Sequence, residues 1–140
     1  MKRKKLVPLP TLKKRLWKVF SEYIRRRDSD DMGNVKCISC STVAHWKQGD
    51  CGHYLKRSYL GTFVEERNNH FQCRRCNHWL SGNQSDYAIA LIKRYGPTIL
   101  EELESLKNSR EKYSREEYEE LIALYKKKIL SLDGFVFGAR

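Results

Sequence analysis

Residues 37–54 read CISCSTVAHWKQGDCGHY and residues 67–83 read RNNHFQCRRCNHWLSGN. Each stretch carries one C-x-x-C pair, Cys37/Cys40 in the first and Cys73/Cys76 in the second. Two such turns offer four thiolates, which close a tetrahedral structural zinc site without further ligands. One C-x-x-C pair alone would also suit redox chemistry. Two of them in a basic chain expected in a reducing compartment favour zinc over disulfides. The metal would close the intervening loop and contribute folding free energy. A closed four-thiolate site keeps no open position for water, so chemistry, if present, lies elsewhere. The fifth cysteine, Cys51, reads as a small buried hydrophobe, because nothing near it in sequence marks an activated thiol.

Working outward, 140 residues suffice for one functional unit with helical extensions around a compact centre. Hydrophobic residues make up 40% and charged residues 32% of the chain, so the apolar core is modest and a metal staple is needed. The net charge of +11 is uneven: residues 1–36 hold 12 basic and 4 acidic side chains, 37–83 hold 6 and 3, and 84–140 hold 10 and 10. Clustered basic charge at the N-terminus and over the cysteine region is what a phosphate-neutralising surface requires, whereas scattered lysines would serve solubility alone. No run approaches eighteen apolar residues and the start, MKRKKLVPLP, lacks a signal-peptide core. The expectation is a cytoplasmic protein with no membrane partner.

After Pro8 and Pro10, Thr11 is the expected cap of a helix running to about Arg27, with Leu12, Leu16, Val19, Phe20, Tyr23 and Ile24 on one face. Lys13, Lys14, Lys18 and Arg25 lie on the other, facing solvent or phosphate. The segment DSDDMGN (28–34) reads as a loop and residues 37–83 as strand and loop. Residues 85–106 have helical apolar spacing broken near Gly96-Pro97. A further helix is expected from the Ser114/Glu117 capping box through Tyr118, Leu121, Ile122, Tyr125 and Ile129. The last two helices predict a helical hairpin within the chain or a coiled-coil seam with a second copy, which would make a homodimer.

His, Asn and Asp are dense around the cysteine pairs: Asp50, His53, Asn68, Asn77, His78 and Asn83. Phosphodiester hydrolysis needs a base for water and a hard cation at the phosphate, roles that neutral imidazole and Asp or Asn oxygens fill. Taken singly, His53 would read as a buried structural histidine, and Asn68 and Asn77 as turn or cap residues. His45 and His70 keep that plain reading.

The order C-x-x-C, GHY, then N-x-x-x-Q-C-x-x-C-N with SGN after it resembles the HNH (ββα-metal, His-Me finger) endonucleases, and most closely the phage NinG/Rap recombination nucleases. The resemblance covers residues 37–96. It implies a zinc-stapled ββα-metal nuclease finger at 37–96; with the basic tail and helix at 1–36 and the C-terminal helical region at 97–140 read from their apolar spacing, the expected fold class is α+β. The resemblance implies that His53 is the general base, that Asn68 buttresses the loop holding it, and that Asn77 ligates a catalytic Mg²⁺ or Mn²⁺ distinct from the structural Zn²⁺. The implied substrate is DNA, branched as in Holliday junctions or D-loops, in a phage or prophage protein acting in a bacterial host with a possible recombination-protein partner. Many HNH enzymes carry a metal ligand directly before the base, where Gly52 stands here. Asp50 is the substitute, although strand alternation puts it on the face opposite His53 unless the strand bends at Gly52; His78 and Asn83 are weaker substitutes. Lys56, Arg57, Arg74 and Arg75 are candidate DNA contacts. The alternative, motivated by Gly52, is a non-catalytic zinc-finger DNA-binding or recombination-accessory protein. A third reading makes the charged C-terminal helices an interaction surface.

Overall fold

The computed structural model describes residues 4–134; the first three residues of the basic tail and residues 135–140, Gly138 among them, lie outside the described residues. Helix α1 (Leu9–Arg27) opens on proline, not on the expected threonine cap. Pro8 takes the extended cap conformation and Pro10 sits in the first turn, where a missing N–H leaves nothing unpaired. Thr11 lies inside that turn and donates its N–H to the Pro8 carbonyl at 3.0 Å. Leu12, Leu16, Phe20 and Ile24 recur every fourth residue and are buried together.

Two separate antiparallel pairs follow: β1 (Asn34–Lys36) with β2 (Val43–His45), and β3 (Gly49–His53) with β4 (Asn69–Cys73). The second pair runs without a bulge from Gly49 opposite Cys73 to His53 opposite Asn69. A π-helical turn, Arg75–Trp79, comes directly after β4. Helix α2 (Gln84–Tyr95) ends at Gly96, whose φ of 102° is left-handed; Pro97 follows, and α3 (Ile99–Leu106) restarts the helix. Helix α4 (Arg115–Leu132) begins at the expected capping box, with Ser114 Oγ accepting from the Glu117 N–H at 3.1 Å and Glu117 Oε1 accepting from the Ser114 N–H at 3.2 Å. The fold class is α+β, with helices around small antiparallel sheets.

The expected hairpin of the last two helices is not formed: α4 packs on α1 instead. Arg115, at the start of α4, donates to the Val7 carbonyl, while Arg26, at the end of α1, pairs with Asp133, so the two helices run parallel. Phe20 meets Tyr125 edge-to-face with centroids 4.9 Å apart, and Tyr118, Cys51 and Phe63 join the same core. The loop after α3 sets this course. Leu106 and Lys107 press against Gly61, where a Cβ would lie 1.7 Å from the Leu106 carbonyl oxygen, and Tyr113 donates to the Leu60 carbonyl at 2.9 Å. The chain is thereby turned away from α3 and across to α1.

A second apolar cluster, Tyr87, Leu91, Ile99 and Leu103, docks α2 and α3 behind β3. It contains a directional polar relay. The Tyr87 hydroxyl donates to the Gly52 carbonyl at 2.8 Å, His70 Nδ1 lies 3.2 Å from that hydroxyl, and His70 Nε2 lies 2.7 Å from the Tyr95 hydroxyl. Tyr87 has spent its proton, so His70 donates from Nδ1 and accepts at Nε2. Both ring nitrogens are satisfied in a neutral ring, and burial, reinforced by Arg27 and Arg94, pulls His70 down to about 3.

The folded pKa of His70 lies below its unfolded value, so its stabilisation is complete above about pH 6.5 and is lost as pH falls toward 3. Unfolding free energy measured against pH in wild type and His70→Gln should differ in acid slope by about one proton, or about 1.4 kcal/mol per pH unit. Equal slopes would show that the ring is protonated in the fold.

Candidate active site and metal centre

Cys37, Cys40, Cys73 and Cys76 bring their sulfurs within 4.8 Å of one another. Cys40 Sγ and Cys73 Sγ are 3.6 Å apart, far beyond a disulfide bond and close to the about 3.8 Å expected between thiolates on one tetrahedral zinc. These four residues could hold one metal such as zinc. Burial pushes the Cys76 thiol up to about 12 and also raises Cys37. At Cys40 burial opposes ionisation, but hydrogen bonding from Thr42 and from Cys37 and Cys73 outweighs it and lowers the thiol to about 6. Ionisation would therefore begin at Cys40.

The knuckles are also tied together through protein groups. The Ile38 N–H donates to the Phe71 carbonyl at 3.0 Å. The buried Gln72 amide donates to Ser39 Oγ at 2.9 Å and to the Gly82 carbonyl at 2.7 Å, bridging the loops beside both pairs. Gln72 also explains Gly52. A Cβ at position 52 would sit 2.0 Å from Gln72 Oε1, so any side chain before His53 would require the Gln72 amide to shift. Asn83 belongs to this centre, with its amide 3.5 Å from Cys76 Sγ, and so does not reach the cleft described next.

That cleft, of about 410 Å³, takes in Gly49, Asp50, Cys51 and His53 in succession along β3, and Arg74, Asn77 and His78 from the end of β4 and the π-helical turn. The uninterrupted register shows no bulge at Gly52. Asp50 and His53 line the cavity together nonetheless. Asp50 Oδ2 gathers the Asn77 amide at 3.2 Å and His78 Nε2 at 3.1 Å. The carboxylate, amide and imidazole are thus presented side by side, a donor set that fits a divalent cation once the Asn77 amide turns its oxygen inward.

His53 ends β3. Among the described residues its Nδ1 is buried without a hydrogen-bond partner, and its ring stands edge-on to Trp17 at 6.3 Å between centroids. Burial, then the nearby Arg57 charge, lowers its pKa, so the imidazole is neutral at neutral pH. Asn68 is buried and clamps the segment after His53: its Oδ1 accepts from the Leu55 N–H at 2.9 Å and its Nδ2 donates to the Leu55 carbonyl at 3.1 Å. Its neighbour Asn69, unremarked in the sequence, donates to the Glu65 carbonyl at 2.8 Å. Cys51 is buried in the core beneath the cleft, and burial pushes its thiol up to about 12.

Of the four predicted DNA contacts, Arg57 and Arg74 line the cleft, whereas Lys56 and Arg75 are exposed outside it. Sequence reasoning missed Trp17, Ser21 and Lys47 as lining residues and left Arg25 on an undifferentiated basic face. The signal was available for three of them: Trp17, Ser21 and Arg25 are four residues apart, one strip over from the buried stripe of α1. Arg25, Lys47, Arg57 and Arg74 face a single carboxylate, Asp50. A larger cavity of about 550 Å³ beside His70 offers no comparable convergence, since both His70 nitrogens are engaged by tyrosines.

The family model described as "Bacteriophage Lambda NinG protein" matches residues 1–134, which extends beyond the cysteine region to include α1 and α4. Proteins named "Protein ninG" from Escherichia phage lambda and Escherichia phage 933W are each 38% identical to this chain over 111 residues, and that of Salmonella phage P22 is 37% identical over the same length. These alignments cover 79% of this chain and 52% of each relative, so the chain spans about half the length of the curated relatives it matches. No solved structure matches. No helix among the described residues is long and apolar enough to cross a membrane.

Metal analysis of the purified chain should find one zinc, with Cys76→Ser losing it. Chelation should unfold the cysteine region, since structural zinc contributes on the order of 10 kcal/mol or more in small zinc domains. A folded, zinc-free wild type would contradict the assignment.

Proposed function

Because this chain belongs to the NinG family, we propose that it is a metal-dependent DNA endonuclease of the HNH type, acting on branched recombination intermediates. The supporting observation is one basic cleft that joins a neutral, partly buried histidine to a carboxylate–amide–imidazole cluster, beside but separate from the four cysteines. The β3–β4 pair and the turn after it follow the order expected of a ββα-metal finger.

In this reading His53 removes a proton from water, the resulting hydroxide attacks phosphorus, and the bond to the leaving oxygen breaks as that oxygen takes up a proton. Trp17 and Arg57 keep the imidazole neutral, by desolvation and by repulsion of a second positive charge. Asp50, Asn77 and His78 would hold Mg²⁺ or Mn²⁺, which neutralises phosphate charge and stabilises the leaving oxygen when bound. Asn68 is a positioning residue, fixing the backbone directly after His53. Arg25, Lys47, Arg57 and Arg74 attract the DNA backbone. The resemblance to recombination nucleases carries the preference for branched DNA, the work inside a bacterial host cell, and any second copy or recombination-protein partner. The glycine at position 52, which offers no side-chain metal ligand before His53, favours one rival, a DNA-binding protein without cleavage.

Labelled four-way junction and matched linear duplex should be cut with Mg²⁺ or Mn²⁺ and spared in EDTA. His53→Ala, with zinc retained, should bind but lose at least about a hundredfold in rate, the usual contribution of a general base. With the folded His53 pKa lowered, the rate should decline toward acid pH with a midpoint below the ordinary histidine value of about 6.5, where the base becomes protonated. Wild-type binding with either metal and no cutting would replace this reading with the rival.

A further inference from the structure

The ion pairs of the described residues are distributed unevenly. Arg26, Arg27, Arg67, Arg94, Lys107, Arg110 and Lys128 are each matched by a carboxylate. None of these pairs involves a lysine or arginine of the cleft, nor of a second cavity, of about 450 Å³, that adjoins it. The second cavity is lined by Lys13, Lys14, Lys18 and Arg57, with the Trp17 and Phe63 rings and no acidic residue. Trp17 and Arg57 line both cavities, so the two adjoin at one indole ring.

Two of the four cations are held against aromatic rings while their charge stays available. Arg57 lies 4.7 Å above the Trp17 ring, and Lys13 Nζ lies 5.3 Å from the centre of Phe63. Such stacking orders long side chains without neutralising them. Lys14 and Lys18 are exposed and one turn apart on α1, so they present adjacent charges. Four cations unmatched by a carboxylate in a concave site make a receptor for a polyanion, and the wall shared with the cleft lets one strand reach both cavities.

We propose that the Lys13/Lys14/Lys18/Arg57 cavity is a phosphate-binding subsite, holding the duplex arm that flanks the phosphate placed at His53. It takes the name of the polyanion, DNA, from the function proposed above. Helix α1 then both walls the cleft and grips the arm, and the strand passes over Trp17 between the two cavities.

The test is the salt dependence of binding to a labelled linear duplex, followed by fluorescence anisotropy with the zinc-loaded full chain and no added divalent cation. Three proteins are compared: wild type, Lys14→Gln/Lys18→Gln, and the control Lys93→Gln/Lys112→Gln. The control pair is exposed and lines neither cavity. Each phosphate contact contributes about 0.9 to the slope of log affinity against log salt. The α1 variant should lose about 1.8 of that slope while the control keeps the wild-type value. All four lysines are exposed, so matching zinc content and circular dichroism will establish the common fold. An unchanged slope in the α1 variant, or an equal loss in the control, overturns the subsite. Because no cleavage is read, a chain that shows the selective slope loss and never cuts DNA keeps this inference and loses the nuclease. A chain that cuts with an unchanged slope does the reverse.

Discussion

The convergence of four sulfurs from two distant turns is the constraint on which the rest of the structure depends. Cys73 closes β4 and Cys76 lies in the π-helical turn, so fixing these two fixes the direction in which the chain leaves the strand. Asn77 and His78 come next and are aimed at Asp50 by that exit. Gln72, just before Cys73, ties both knuckles together and fills the space over Gly52. The metal centre and the cleft therefore share a backbone but no ligands, and one can be rigid while the other stays open to water and phosphate.

Helix α1 supplies what so small a sheet lacks. Its Leu12, Leu16, Phe20 and Ile24 stripe forms a core with α4 and Cys51, burying one side of a two-stranded ribbon that would be marginal by itself. The next strip, Trp17, Ser21 and Arg25, becomes a wall of the cleft. Trp17 excludes water from His53 and also carries Arg57 on its face. A histidine at the end of a free hairpin would titrate in its ordinary range; packed here, it is held neutral.

Local chemistry made much of this legible in the sequence. The C-x-x-C pairs forecast the sulfur cluster, the Ser114/Glu117 box located the start of α4, and Gly96-Pro97 marked the break between α2 and α3. Long-range consequences were harder to read. Tyr118 and Tyr125 showed that α4 has an apolar face but not that its partner is α1, because the deciding contact is a backbone approach at Gly61 over forty residues away. Strand alternation separated Asp50 from His53, yet both line one cavity. Gly52 looked only like a missing ligand, whereas the structure also packs the buried Gln72 side chain against it. The absence of Trp17 from the candidate residues has the same origin: nothing local tells a helix which of its strips will face a cleft.

The central claim is that this chain has two separate metal functions, with zinc holding the frame and a hard cation bound at Asp50, Asn77 and His78. Electron paramagnetic resonance titration of Mn²⁺ into the zinc-loaded chain, beside Asp50→Asn with its zinc content checked, tests it directly. The account predicts one Mn²⁺ site per chain, lost in Asp50→Asn while zinc is retained. Mn²⁺ binding that is absent from the wild type, or that survives Asp50→Asn unchanged, would contradict it.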